Sequence, residues 1–143
     1  MEMNKERLMR QLSIDEGRRN KLYKDTANPP KWTIGVGRNI EDRGLREDEI
    51  DLLLANDIKE AEAIARALVR NFDQLDDVRQ EVVVNMAFNM GMPRLAGFKR
   101  FIAALWERNY PLAAAEMQDS AWYHQVGQRG VRLVYAMKHG AFK

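Results

Sequence analysis

Two carboxylates in the first quarter of the chain could act together as a catalytic pair. Glu16 and Asp25 lie nine residues apart in the turn-rich stretch EGRRNKLYKDTANPPKWTIGVG, which begins at Glu16 and ends at Gly37. Cleavage of a glycosidic bond needs one carboxyl group to protonate the leaving oxygen and a second to manage water or act as nucleophile. The chain has 21 acidic residues among 143, so this spacing also fits two ordinary surface acids.

The residues around Glu16 and Asp25 favour a catalytic pair over two ordinary surface acids. Glu16 ends an amphipathic run, and the sequence YKDT follows from Tyr23. From Trp32, the sequence WTIGVG predicts a β-branched strand punctuated by glycines. A second group of motifs lies in the C-terminal half, namely NMAFNMG from Asn85, AGF from Ala96 and WYHQ from Trp122, followed by Arg129 and Arg132.

This order of motifs resembles the phage-type lysozymes, glycoside hydrolase family 24, over nearly the whole chain. In that family a Glu at a helix end is followed, after eight residues, by an Asp and then by a Thr in a T-I-G-x-G strand. Those positions match Glu16, Asp25 and Thr33. The resemblance implies hydrolysis of the β-1,4 bond after N-acetylmuramic acid, without a cofactor or metal. It also implies inversion, in which Glu16 protonates the leaving oxygen and Asp25, assisted by Thr33, orients water.

The resemblance further implies a set of residues around the substrate. Phe88 and Asn89, near a helix end, would line the saccharide site, and Trp122 would stand near the catalytic cleft. Arg129 would hold the acid in place through its guanidinium, although an opposing charge also lowers the pKa of a carboxyl group. Asn85 is expected to be a core amide with its hydrogen bonds satisfied rather than a catalytic group.

The chain departs from the family at several positions. Asp25 and Thr33 have seven residues between them where five are usual, and a longer turn can absorb the difference because loop-closure costs rise slowly with length. Two positions that contact sugar elsewhere in the family are Phe101 and Glu116 here, so those roles are not assigned to them. Trp32 is either a core aromatic under the strands or a sugar platform. We expect the core, because strand aromatics usually pack.

Arg38 stands where the family usually carries a His directly after the strand. Asp57 interrupts the apolar face of the long helix that is predicted downstream. An unpaired carboxylate on a packed face would be costly, so we predict an ion pair between Arg38 and Asp57 that joins the hairpin to the helix. The alternative is that both side chains reach water independently.

The hydrophobic pattern predicts a mostly helical α+β fold with a small N-terminal lobe and an all-helical C-terminal lobe. Glu16 would end the first helix, where the helix dipole favours the protonated form that a general acid requires. Asp76 is the expected N-cap of a buried central helix. The predicted segments begin with a helix at 4–15, which we expect to pack near the C-terminal lobe. The N-terminal lobe follows at about 16–46, with a hairpin at 21–37 whose bend is at 28–30, and a linking helix covers about 47–70. The helical lobe covers about 71–143, with helices at 78–90, 97–107, 111–118 and 128–138.

The composition of the chain limits which metal sites and binding partners we expect. The chain has no cysteine and only two histidines, so no thiolate or histidine-rich metal site is expected. The net charge is +2, yet from Val82 onward eight Lys or Arg face three acids. A basic half suits an anionic partner such as peptidoglycan, and by charge alone it would suit nucleic acid equally well.

Three alternative functions are weighed against a lysozyme. A catalytically silent wall-binding module would share the fold but lack the carboxylates, both of which are present. A nucleic-acid binder would need a recognition helix with clustered Arg, Lys or Asn, and none of the predicted helices has one. A lytic transglycosylase would cleave the same bond with a single Glu and no water, and Asp25 argues against it.

The opening MEMNKERLMR is charged, and no run in the chain approaches 18 apolar residues. We therefore expect neither a signal peptide nor insertion into a membrane. The resemblance implies an endolysin that accumulates in the host bacterial cytoplasm and acts on the cell wall after release. It would be a monomer whose partner is peptidoglycan rather than nucleic acid, and it would rely on a separate holin-type protein to reach the wall.

Overall fold

The computed structural model describes residues 2–143, and it confirms the predicted α+β class with a small N-terminal antiparallel sheet and a majority of helix. The chain forms two compact units, one that ends at Asp51 and one from Leu52 to Lys143. Within the described part of the chain, no helix combines the length and the apolar character that crossing a membrane requires.

Helix α1 covers Lys5–Glu16, within one residue of the prediction. It begins at Asn4, whose side chain accepts a hydrogen bond from the backbone N–H of Arg7 at 2.9 Å, and it ends at Gly17, which has φ +77°. Such a positive φ is strained for residues with a Cβ, so glycine is suited to this end. None of the residues of α1, all of which the structure describes, is buried.

The sheet has the order β1-β2-β3, with antiparallel pairing throughout. Its strands are β1 (Arg19–Lys24), β2 (Trp32–Gly35) and β3 (Arg38–Asn39). Tyr23 and Asn39 both pair with Thr33, which fixes Thr33 in the central strand. The predicted hairpin and its proline-containing bend are confirmed, whereas β3 was missed because two residues are too few for a readable period.

Two helices follow the sheet. The short α2 (Ile40–Arg43) begins at Asn39, whose side chain accepts from the N–H of Asp42 at 3.0 Å. The long α3 (Glu47–Leu68) has 22 residues and ends two residues before the predicted limit. Helix geometry gives it a length of about 33 Å. The boundary between the two units falls inside α3.

The second unit contains α4 (Asp77–Met90), which contributes Val82, Val83, Met86 and Ala87 to the core, as predicted for a core helix, but which is not buried on all sides. The side chain of Asp76 accepts from the N–H of Arg79 at 3.2 Å, as expected of an N-cap, and Gly91 ends the helix at φ +78°. Apolar residues of the surrounding helices pack against its buried face. Those helices are α5 (Met92–Ala96), α6 (Lys99–Trp106), α7 (Tyr110–Gln118), α8 (Ala121–Val126) and α9 (Gln128–His139).

Candidate active site

Glu16 is the last residue of α1, and its carboxylate lies against the turn between β2 and β3. A Cβ atom placed on Gly37 would come within 3.0 Å of Oε2 of Glu16. Gly37 also has φ +67°, so both its conformation and the neighbouring carboxylate favour glycine. No hydrogen bond to the Glu16 carboxyl group comes from residues 2–143, and the residue is exposed. Glu16 is therefore free to contact a ligand from solvent.

Asp25 directly follows β1 and organises the bend that leads to β2. Its Oδ1 atom accepts hydrogen bonds from the backbone N–H of Ala27 at 3.1 Å and of Lys31 at 2.8 Å. The N–H of Asp25 in turn donates to the carbonyl of Lys31 at 2.9 Å. These bonds fix the carboxylate of a half-buried residue, while Oδ2 accepts no hydrogen bond from the described chain. An oriented carboxylate with one oxygen available can position a water molecule.

Thr33 is only 2% exposed, and its Oγ1 donates to the carbonyl of Lys31 at 2.9 Å. Lys31 therefore connects both candidates, since its N–H binds Asp25 and its carbonyl binds Thr33. The two additional residues between Asp25 and Thr33 lie in a bend that these bonds close. The longer spacing thus leaves Thr33 in register with both neighbouring strands.

A group of charges surrounds this bend. The ammonium of Lys31 lies 3.5 Å from carboxylate oxygens of both Glu41 and Asp42. Asp42 first, and then Glu41, raise the pKa of Lys31 above its ordinary value by stabilising the ammonium form. Glu41 also accepts from the backbone N–H of Trp32 at 3.2 Å. α2 thereby supports the strand that carries Thr33.

The expectation that Trp32 is a core residue was wrong. Trp32 is 42% exposed, and the ammonium of Lys24 lies 4.4 Å from the centroid of its ring. The reason is strand alternation, because successive side chains point to opposite faces of a sheet. With Thr33 on the buried face, Trp32 faces outward.

The predicted pair between Arg38 and Asp57 was also wrong. Arg38 donates from Nη1 to Oε1 of Glu49 at 2.6 Å, and it approaches the carbonyl of Gly44 at 3.4 Å. Glu49 is in the first turn of α3, the second helix after the sheet. Asp57 lies eight residues farther along the helix, a rise of about 12 Å. Arg38 does bind a carboxylate of the long helix, as predicted. The partner is in the first turn of that helix, which is nearest to the sheet in sequence, and not on its apolar face.

In the second unit, Asn85 and Arg129 bind each other. Nε of Arg129 donates to Oδ1 of Asn85 at 2.9 Å, and both residues are half-buried. The amide oxygen of Asn85 is thus paired, as expected, although the residue borders a pocket rather than lying in the core. Both residues border a pocket of about 450 Å³, together with Phe88, which is 44% exposed. The predicted role of Arg129 in holding the acid stays a prediction.

Trp122 does not have an exposed face. It is 1% exposed, packs edge-on against Phe98 with ring centroids 6.5 Å apart, and donates from Nε1 to Oδ1 of Asn89 at 2.9 Å. The ring of Trp122 therefore presents no open face, and its predicted place near the catalytic cleft stays a prediction. The ring fixes the amide of Asn89, an exposed residue whose amide nitrogen remains available as a donor.

Several residues at this site were not singled out from the sequence. Lys31 donates to Asp25 through its backbone N–H, and Glu41 accepts from the backbone N–H of Trp32. Both contacts exist only in the folded hairpin, so the sequence alone did not indicate them. Gly37 could have been found, because a glycine after a strand indicates a turn with positive φ. Among residues 2–143, no group of three or more His, Cys, Asp or Glu side chains is placed to hold a metal ion.

Comparison with known proteins gives a consistent result over most of the chain. The family model described as phage lysozyme matches residues 13–136, which include every site residue discussed above. Probable T4-type lysozyme 1 of Dictyostelium discoideum is 30% identical, over 90% of this chain and 92% of its own length. Probable T4-type lysozyme 2 of the same organism is 26% identical, over 92% of this chain and 94% of its own length. The pre-baseplate central spike protein Gp5 of Enterobacteria phage T4 is 25% identical over 90% of this chain, which corresponds to 27% of that protein.

Proposed function

The chain belongs to the phage lysozyme family of peptidoglycan-hydrolysing muramidases, and from this premise we propose that it is an endolysin that lyses a host bacterium from within. The observation that carries the proposal is the arrangement of its carboxylates. Glu16 lies exposed against Gly37, while Asp25 is held by the N–H of Lys31. The target is the β-1,4 bond between N-acetylmuramic acid and N-acetylglucosamine.

Glu16 is the proposed general acid. Its carboxyl group gives a proton to the glycosidic oxygen as that bond breaks, which stabilises the leaving group. The close approach of Gly37 is useful here, because a side chain at that position would displace the carboxylate. Glu16 then needs no metal or cofactor to act.

Asp25 is the residue proposed to orient the attacking water molecule on the opposite face of the sugar ring. Its Oδ1 is occupied by backbone donors, so Oδ2 is the oxygen that would orient the water molecule and accept its proton. Thr33 assists from the adjacent strand, where its hydroxyl oxygen can accept a hydrogen bond while its proton is directed to Lys31. This division of roles gives a single displacement with inversion at the anomeric carbon.

Phe88 and Asn89 are the proposed saccharide contacts. The exposed ring of Phe88 offers an apolar surface to a sugar, and Asn89 offers an amide N–H₂ whose orientation is fixed by Trp122. Arg129, oriented by Asn85, supplies a positive charge suited to the carboxylates of the substrate or to the catalytic acid.

The proposed cellular role follows from the endolysin assignment. A monomer accumulates in the host cytoplasm, and a separate holin-type protein gives it access to the wall. Co-expression with and without a membrane-permeabilising protein tests this role in a bacterial host. Lysis is expected only with both proteins, and prompt lysis by the enzyme alone would contradict dependence on a holin.

Analysis of the cleavage products tests the chemistry. Digestion of purified peptidoglycan should give reducing muramic acid ends, and NMR of fresh products should show the anomer opposite to that of the substrate bond. Products with 1,6-anhydro ends would instead indicate a lytic transglycosylase. Retention of the anomeric configuration would contradict the role of Asp25 as a partner of water.

A further inference from the structure

A second pocket of the Leu52–Lys143 unit has a volume of about 380 Å³ and shares no lining residue with the pocket that contains Phe88 and Arg129. We call it the Trp106 pocket. It lies between the end of α3 with its following segment and one side of α6, and it is bordered by Leu68, Arg70, Asn71, Lys99, Ile102 and Trp106.

Trp106 gives this pocket an exposed aromatic surface. The residue is the last of α6 and is 59% exposed, and its indole N–H donates to no residue of the described chain. Ile102 lies one helical turn earlier and on the same face, so the two side chains extend the apolar surface. A tryptophan with one apolar face and a free donor is suited to a ligand that has both C–H groups and hydroxyl or carbonyl acceptors.

Two hydrogen bonds hold the walls of the pocket together. Nδ2 of Asn71 donates to the carbonyl of Leu105 at 3.0 Å, and Nη2 of Arg108 donates to Oε1 of Gln74 at 2.6 Å. Both bonds connect the end of α6 with the segment that follows α3. The pocket is therefore formed before any ligand arrives, which reduces the entropic cost of binding.

Asn71 also has an unsatisfied acceptor. The residue is 4% exposed, and its Oδ1 is buried without a hydrogen-bond partner in the described chain. Rotating the amide by half a turn would set its oxygen against the carbonyl of Leu105, so the acceptor assignment is secure. A buried acceptor without a donor is costly, and this one has less than 1 Å² of accessible surface. Asn71 therefore contributes to the pocket through its bond to Leu105 rather than through contact with a ligand.

The charged residues of the pocket have one sign. Arg70 and Lys99 border it, no acidic residue does, and within residues 2–143 neither cation forms an ion pair. Two unpaired cations beside an apolar surface favour an anionic ligand.

We infer that the Trp106 pocket binds an N-acetyl amino sugar of a wall strand together with a carboxylate of the peptide attached to that strand. The sugar ring lies on Trp106, and the peptide carboxylate approaches Arg70 or Lys99. The inference rests on the proposed function, because it takes the wall strand to be the substrate. A second contact with an insoluble strand keeps the enzyme near its next bond and raises the effective substrate concentration.

A binding experiment tests this inference without turnover. The parent is the Glu16→Gln variant, and the ligand is a set of soluble, uncross-linked peptidoglycan strands measured by calorimetry. Adding Trp106→Ala is expected to weaken binding about tenfold, as loss of one stacked aromatic contact should. Leu112→Ala, which removes another exposed apolar side chain of the same unit, is the matched control and should leave the affinity unchanged.

The charge of the ligand is tested separately. Lys99→Ala should weaken binding of the peptidoglycan strands but not of neutral N-acetylglucosamine oligomers, and Lys59→Ala, an exposed lysine on α3, should affect neither. Equal affinity of the Trp106→Ala variant and its parent would overturn the inference, as would an equal loss in the Leu112→Ala control. Cleavage by the Glu16→Gln parent would count against the proposed mechanism instead, so the two failures are distinguishable.

Discussion

Among residues 2–51, Thr33 is the one buried residue, whereas the Leu52–Lys143 unit has a core of 20 buried apolar residues. The first unit is ordered instead by turns, helix caps and ion pairs, such as the bend that Asp25 closes and the pair between Arg38 and Glu49. The proposed catalytic carboxylates lie in this polar unit. The second unit obtains its stability from packing around α4.

The two units therefore differ in what a substitution is expected to change, catalytic chemistry in the first and stability in the second. In the first unit a side chain is positioned by a few directional hydrogen bonds, so a substitution there can remove a chemical group and leave the fold intact. In the second unit a side chain fills volume in a close-packed interior, so a substitution of similar size costs stability. Substitutions in the first unit should therefore change activity more than stability, and substitutions in the core of the second unit should do the reverse.

Glu16→Gln should abolish wall clearing, with a loss of about 10²-fold to 10⁴-fold, because an amide has no acidic proton to give. The fold should survive, since Glu16 is exposed and receives no hydrogen bond from the described residues. Turbidity of purified peptidoglycan measures activity, and circular dichroism with thermal melting measures the fold. Substantial residual activity would remove Glu16 as the acid.

Asp25→Asn should impair activity by about 10²-fold or more, because an amide cannot take a proton from water. The bend should persist, since the amide oxygen can still accept from the N–H of Lys31. The rate of reducing-end release gives the result. If Asp25→Glu or Asp25→Cys retains much of the activity, Asp25 positions water without being an obligatory base.

Trp122→Phe and Trp32→Phe make the same chemical change in the two units. Trp122 is buried and bonded to Asn89, so its substitution should cost about 1–3 kcal/mol of unfolding free energy. Trp32 is 42% exposed, and its substitution should change stability by no more than about 0.5 kcal/mol. Urea unfolding of both variants measures the difference. Equal costs would contradict the contrast between the units.

The pair between Arg38 and Glu49 should have the smallest effect. Hydrogen bonding from the N–H of Arg46, and then from Arg38, lowers the pKa of Glu49 below its ordinary value. The stabilisation is therefore present above the pKa of Glu49 in the unfolded chain, and it is lost as pH falls through the lower, folded pKa.

A double-mutant cycle isolates this pair. Glu49→Gln retains an acceptor for the N–H of Arg46 but removes the charge, and Arg38→Ala removes the guanidinium. Urea midpoints of the single and double variants should show positive coupling at pH 7 that disappears in acid. Additive effects at pH 7 would show that the pair does not contribute. The Arg38→Ala, Asp57→Ala cycle should be additive.

The sequence determined the longer helices of this protein and the identity of its candidate acids, but it did not predict β3, α2, α5 or α8. The period of apolar residues located α3, and a run that is hydrophobic almost all round located α4. The capping residue Asp76 marked where α4 begins. The order of motifs predicted Glu16, Asp25 and Thr33 as the catalytic residues. These features are local, because caps, glycines and hydrophobic periods act over a few neighbouring residues.

Only the tertiary structure decided which groups meet. It assigned Arg38 to Glu49 rather than Asp57, exposed Trp32 and buried Trp122. It also brought Asn71 beside Leu105, 34 residues away in the chain, and so formed the Trp106 pocket. A periodic pattern states which face of an element is apolar, but it does not state what packs against that face. Contacts between residues distant in sequence depend on strand register and on where each helix begins, and those are settled only when the whole chain packs.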